Sequence, residues 1–128
     1  MRSFLLIPIL LAIACAIGAG ACRAFGSNPH AKELIAAAMT CLIAGEVGMI
    51  PLLLARGGNQ AAVAQAALVG TVLHLFVSIT VAGIAVFARV GLSSAFLYWL
   101  LALYWVTLIG LVVAFVKAVR SAPIAQAK

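Results

Sequence analysis

The sequence has 128 residues, of which 67% are hydrophobic and 8% are charged. An average soluble domain is about half apolar and about a quarter charged, so a water-soluble fold could not bury this much apolar surface. The formal net charge of +6 does not indicate nucleic-acid binding, because the basic residues flank hydrophobic stretches and form no patch. These properties predict an integral membrane protein.

Four stretches are long and apolar enough to cross a bilayer, which takes roughly 20 residues of helix. We predict an all-α bundle of four transmembrane helices that forms one membrane domain, with helices at 4–21, 34–55, 61–88 and 95–118. The connections are too short for a soluble domain, so a catalytic site would have to lie inside the bundle, where no suitable set of residues is present. We expect no enzymatic activity, no cofactor and no metal site.

Small residues recur at every fourth position in the first span, in the rows Ala12, Ala16, Gly20 and Ala14, Gly18, Cys22. Such rows let helix backbones approach each other in a membrane. The same segment is also similar to a signal peptide with a small-residue cleavage site before Cys22. We expect the segment to be retained as a helix, with cleavage as the alternative.

The second span contains the most unusual local sequence, with a carboxyl group between two glycines and ahead of a proline. Gly45 and Gly48 thin the helix, and Pro51 predicts a kink near the middle of the span. Glu46 lies near the middle of the bilayer, where an acidic side chain costs on the order of 3 kcal/mol. It must therefore be paired, protonated or next to a wet cavity, and it is a candidate functional residue.

The third span carries Gly70, His74 and Ser78 at four-residue spacing, with Thr71 beside them. A polar stripe on a membrane helix usually faces protein. Glu46 and His74 lie at depths that differ by about 6 to 8 Å along the helix axes, so a direct pair is one alternative. Such a pair would either take part in the function of the protein or only fix the register of two helices.

Residues at the ends of the spans predict how the protein sits in the bilayer. Tyr98 and Trp99 match an interfacial aromatic belt, while Tyr104 and Trp105 lie deeper and pack inside the bundle or against lipid. Arg56, Lys117 and Arg120 are predicted interface anchors. One side of the membrane holds Arg2, Arg56, Lys117, Arg120 and Lys128, and the opposite side holds Arg23, Lys32 and Arg89. This distribution favours cytoplasmic termini in a bacterial inner membrane.

The three cysteines, Cys15, Cys22 and Cys41, show no metal-ligand spacing and no paired motif. An odd number without a Cys-x-x-Cys pair gives no disulfide framework. We interpret them as small apolar packing residues.

The second and third spans resemble subunit I of the bacterial F-type ATP synthase, a small four-helix membrane protein. The resemblance rests on the small-residue and proline pattern of residues 44–52, the basic turn at Arg56, and Gly70 followed four residues later by His74. It covers residues 34–118. It implies a non-catalytic helper in assembly of the membrane rotor ring, with a link to magnesium handling.

The predicted function is therefore that of an inner-membrane accessory or assembly protein that contacts other helices, either ATP synthase membrane subunits or further copies of itself. One alternative is a small proton- or cation-coupled transporter that uses Glu46. Another is an uncharacterised subunit of a different membrane complex. In each case the bilayer is the main environment, and no nucleic-acid partner is expected.

Overall fold

The computed structural model describes residues 5–88, 91 and 93–124. These residues form the four helices α1 (Leu6–Ala24), α2 (Ala31–Leu54), α3 (Gln60–Phe87) and α4 (Ala95–Ser121). Each helix is long and apolar enough to cross a membrane. The predicted all-α class with four membrane-spanning helices is confirmed, and the chain fits a multi-pass membrane protein.

The helix ends differ from the predicted bounds where the first or last turn is polar. The structure begins α2 at Ala31, three residues before the predicted start at residue 34, because Lys32 and Glu33 belong to its first turn. The backbone N–H of His30 donates to Oδ1 of Asn28 at 3.1 Å just ahead of this helix. An apolarity criterion does not detect such turns. Three residues used to predict the orientation, Arg2, Arg89 and Lys128, lie outside the described residues.

The two central helices of the bundle are α2 and α4. Nine residues of α2 and eight of α4 are buried, against two of α1 and five of α3. Many large apolar side chains of α1 and α3 are exposed, among them Ile13, Ile17, Leu68 and Phe76, and acyl chains surround such side chains in a bilayer. The interior is thus built around α2 and α4, with α1 and α3 packed against them.

Glycines shape the surface that receives α1. A Cβ added to Gly45 of α2 would lie 3.0 Å from Ile7 and 3.1 Å from Thr107. A Cβ on Gly110 of α4 would lie 2.9 Å from Leu10. Ile7, at the start of α1, is thus level with Gly45 of α2. Because the end of α1 leads into the start of α2, α1 covers only the part of α2 between Ala31 and Gly45.

The two small-residue rows of α1 have different environments. Gly18, in one row, packs so closely on α4 that an added Cβ would lie 2.7 Å from the Trp99 ring. In the other row Ala12, Ala16 and Gly20 are exposed, and nothing lies within 4 Å of a Cβ placed on Gly20. Only the row that contains Gly18 mediates close helix contact within the bundle.

The turn between α2 and α3 lies at the same end of the bundle as the end of α4. Asn59 caps α3 by accepting a hydrogen bond from the N–H of Ala62 at 2.9 Å. The N–H of Gln60 donates to the carbonyl of Pro123 at 3.0 Å. This bond ties the segment after α4 to the start of α3.

Candidate functional site: polar residues within the membrane span

The α2 and α3 backbones approach each other closely at Gly48 and Gly70. A Cβ on Gly70 would collide with the carbonyl oxygen of Gly48 and would lie 2.9 Å from the Phe115 ring. Backbones approach this closely only where both residues lack a side chain. One turn further along α3, the Cβ of His74 lies 3.1 Å from the position of a Cβ on Gly48. The glycine pair thus brings His74 against the backbone of α2.

His74 is the most buried polar side chain of the described residues, with 0% of its surface exposed. Its ring stacks on the Tyr104 ring of α4, with centroids 5.1 Å apart and planes 7° apart. Within the described residues, neither ring nitrogen meets the distance and angle of a hydrogen bond, although the backbone of Ala44 on α2 lies close to the ring. The ring nitrogens are therefore able to form further hydrogen bonds. Leaving a buried polar group unsatisfied costs about 1–3 kcal/mol.

Ser78, one turn after His74, also has a buried hydroxyl, for which the described part of the chain offers no partner. The other helical serine and threonine hydroxyls of the described region donate to the carbonyl four residues earlier, namely those of Thr40, Thr71, Thr80, Thr107 and Ser121. Such a bond satisfies the hydroxyl within its own helix. Gly70, His74 and Ser78 therefore share the inward face of α3, whereas Thr71 is only half-buried and is satisfied locally.

Glu46 lies on a different side of α2 from His74. It is half-buried, and among the described residues no group forms a hydrogen bond with its carboxylate. Gly48, which faces His74, follows Glu46 by two positions, and two positions turn about 200° around a helix. The Glu46 side chain therefore points away from the face of α2 that meets His74, and the structure does not pair the two residues.

The other residues singled out in the sequence have separate environments. Gly45 faces α1 and α4, as described above. Pro51 lies in the last turn of α2, and the helix continues through it to Leu54. Its missing amide therefore falls close to the helix end, and the kink near the middle of the span stays a prediction.

The aromatic residues at the start of α4 divide between lipid and protein. Tyr98 is 76% exposed, whereas the Trp99 ring lies against Gly18 and its Nε1 donates to the carbonyl of Pro29 at 3.1 Å. Trp99 thus ties the α1–α2 connection to α4. Arg56, Lys117 and Arg120 are all exposed at the end of the bundle that carries the α2–α3 turn.

Sequence reasoning missed the contribution of α4 and Cys41 to the polar interior. Tyr104 stacks on His74, while Trp105 is 58% exposed. Thr107 is 1% exposed, and the Cys41 thiol donates to the carbonyl of Leu100 at 3.9 Å. The spacing of Leu100, Tyr104, Thr107 and Leu111 places these residues on one helix face, and this was the available signal.

The arrangement offers hydrogen-bonding groups but no cluster of metal ligands. Within residues 5–88, 91 and 93–124, no three His, Cys, Asp or Glu side chains lie close enough together to hold a metal ion. His74 and Ser78 can donate and accept hydrogen bonds. The carboxyl group of Glu46 can accept a hydrogen bond or bind a cation.

Comparison with models of protein families finds no match for this chain, and comparisons with curated proteins and with solved structures find none either.

Proposed function

We propose that this chain is a small accessory or assembly protein of the bacterial inner membrane, of the kind that the resemblance to ATP synthase subunit I implies. In this proposal it acts by contact between its own helices and those of a partner. The partner is the membrane part of the synthase, where the chain assists assembly of the rotor ring. No catalytic step is assigned to it.

The carboxyl group of Glu46 is the observation that carries the proposal. Glu46 lies about 12 Å along the helix axis from Leu54 and about 22 Å from Ala31, within a hydrocarbon layer about 30 Å thick. An acidic side chain at such depth costs on the order of 3 kcal/mol, and no group of the described residues satisfies it. A hydrogen-bond donor on a partner helix would offset this cost.

The distribution of basic residues supports an orientation with both termini in the cytoplasm. Arg56, Lys117 and Arg120 lie at the end of the bundle that carries the α2–α3 turn, whereas Arg23 and Lys32 lie at the other end. Since basic residues accumulate on the cytoplasmic side, we place the α2–α3 turn in the cytoplasm.

Purification in a mild detergent tests the proposed contact. The tagged wild-type chain should recover rotor-ring subunits of the synthase, and Glu46→Leu should lose them because it removes the hydrogen-bonding group. Glu46→Gln, which keeps an amide at this position, should retain part of the association. Thr80→Val is the matched control, because Thr80 is an exposed polar residue of α3 whose hydroxyl is satisfied within its own helix.

The outcome separates this proposal from its alternatives. Recovery of subunits of another complex would make the chain an accessory protein of that complex. If the wild-type chain recovers no partner, or if Glu46→Leu and Thr80→Val behave alike, contact through Glu46 is wrong.

The half-buried carboxyl group also favours a second candidate, proton- or cation-coupled transport through Glu46. In liposomes that contain only this protein, a transporter would carry a cation or proton current that Glu46→Gln abolishes. An accessory protein would carry no such current, and its partner association would respond to Glu46→Leu instead.

A further inference from the structure

We infer that the end of the bundle formed by the α2–α3 turn and the last turns of α4 is a binding site for one anionic phospholipid. The site consists of two neighbouring depressions, defined here as the turn pocket and the valine groove. This inference concerns a lipid ligand and does not depend on the partner proposed above.

The turn pocket has a volume of about 330 Å³. Arg56 lines it together with the backbone of Gly57 and Gly58, and Ala118 and Ser121 of α4 form the opposite wall. The bond from Gln60 N–H to the Pro123 carbonyl, 3.0 Å long, holds this wall against the start of α3. Among the described residues that line this pocket, Arg56 is the one with a basic side chain.

The valine groove lies on the other side of Ser121 and has a volume of about 400 Å³. Lys117 and Arg120 line the part of the groove near the end of α4. The part that lies deeper in the membrane span is lined by Val112, Val113 and Val116. Cations thus stand above an apolar strip that runs into the membrane span. A phospholipid has the same order of groups, with a phosphate above an acyl chain.

The charges at this end have no acidic side chain beside them among the residues that the structure describes. The sequence contains two acidic residues. Glu33 lies at the opposite end of α2, where the Ser93 hydroxyl donates to its carboxylate at 2.9 Å, and Glu46 lies within the span. Arg56, Lys117 and Arg120 are exposed and their charges are accessible to an anion.

Charge complementarity therefore selects the occupant. Basic pockets at the ends of membrane helices bind anionic head groups, and each Lys or Arg near the surface strengthens such binding about fivefold. A lipid phosphate in the turn pocket or beside Lys117 and Arg120 would receive charged hydrogen bonds. Its acyl chain would cover the valine groove. The shared wall at Ser121 makes one molecule able to contact both depressions.

Native mass spectrometry of the purified full chain tests this inference. The protein is mixed with equal amounts of phosphatidylglycerol and phosphatidylcholine that carry identical acyl chains, and the retained lipids are counted. We expect one phosphatidylglycerol to be retained in preference. Arg56→Gln should reduce its retention about fivefold, and Lys117→Gln with Arg120→Gln more than tenfold.

Two controls keep the inference falsifiable. Arg23→Gln with Lys32→Gln removes the same charge at the opposite end and should leave retention unchanged; an equal loss would mean that only net charge attracts the lipid. Glycerol phosphate, which has the anion but no acyl chain, should not displace the bound lipid at equal concentration. Displacement by it, or equal retention of the two lipids, would overturn the proposed site.

Discussion

The ring of His74 on α3 lies parallel to the ring of Tyr104 on α4, with 5.1 Å between the ring centroids. This pair bridges the two helices, and the Gly48–Gly70 contact holds the histidine against α2 from the other side. Three of the four helices therefore meet around one imidazole whose nitrogens bind nothing in the described structure.

We expect the histidine ring to stabilise the bundle by its shape and not by its nitrogens. His74→Phe keeps an aromatic ring on Tyr104 and removes two unsatisfied polar atoms, so the free energy of unfolding should stay within about 1 kcal/mol of wild type or rise. His74→Ala should lower it by roughly 3 kcal/mol because it leaves a cavity. Denaturation in mixed detergent micelles measures both. A large loss of stability in His74→Phe would show that the nitrogens have a partner.

Gly70→Ala should destabilise the protein by about 1–3 kcal/mol. The new methyl group would meet the carbonyl of Gly48 and the Phe115 ring, so α2 and α3 must move apart. Gly83→Ala on the same helix is the control, because no atom lies within 4 Å of a Cβ there. Its melting temperature in detergent should be unchanged or slightly higher, since alanine favours helix. Equal effects of the two substitutions would contradict the close contact.

Gly18→Ala should displace the Trp99 ring and break its hydrogen bond to the Pro29 carbonyl. The protein has two tryptophans, so the measurement uses a Trp105→Phe background in which the emission comes from Trp99. We expect a shift of the emission maximum and a lower melting temperature. Gly20→Ala, in the outward row of α1, should change neither. An unshifted spectrum for Gly18→Ala would mean that α1 does not pack on Trp99.

Cysteine labelling tests the proposed orientation. In a variant without the native cysteines, Ser27→Cys marks the α1–α2 connection and Ser121→Cys marks the end of α4. Because we place the end of α4 in the cytoplasm, a membrane-impermeant maleimide should label Ser27→Cys on intact spheroplasts and should label Ser121→Cys only after permeabilisation. The reverse pattern would invert the orientation.

The fold was largely predictable because four long apolar stretches leave a chain of this length few options in a bilayer. Both ends of α3 and the start of α4 were predicted to within one residue, whereas the start of α2 was missed by three because its polar first turn, with Lys32 and Glu33, carries no apolar signal. Local hydrogen bonds, and not hydrophobicity, set this boundary.

The sequence predicted which polar residues share a face of one helix, but not which helices these faces contact. Four-residue spacing places Gly70, His74 and Ser78 on one face of α3, but it does not show which neighbour that face meets. The depths of Glu46 and His74 along the helix axes allowed a direct pair. The pair does not form because the Glu46 side chain leaves α2 on the side away from His74. Direction depends on how the helices pack, and the contact between Gly48 and Gly70 sets it.

The way α1 lies on the bundle has a consequence for assembly. Gly45, Thr107 and Gly110 form a slot that residues at the start of α1 fill, and Ile7 is 1% exposed in it. If α1 were removed, whether by cleavage or by deletion, this slot would open onto lipid. A three-helix form would therefore leave Gly45 and Gly110 without the side chains of α1 that cover them.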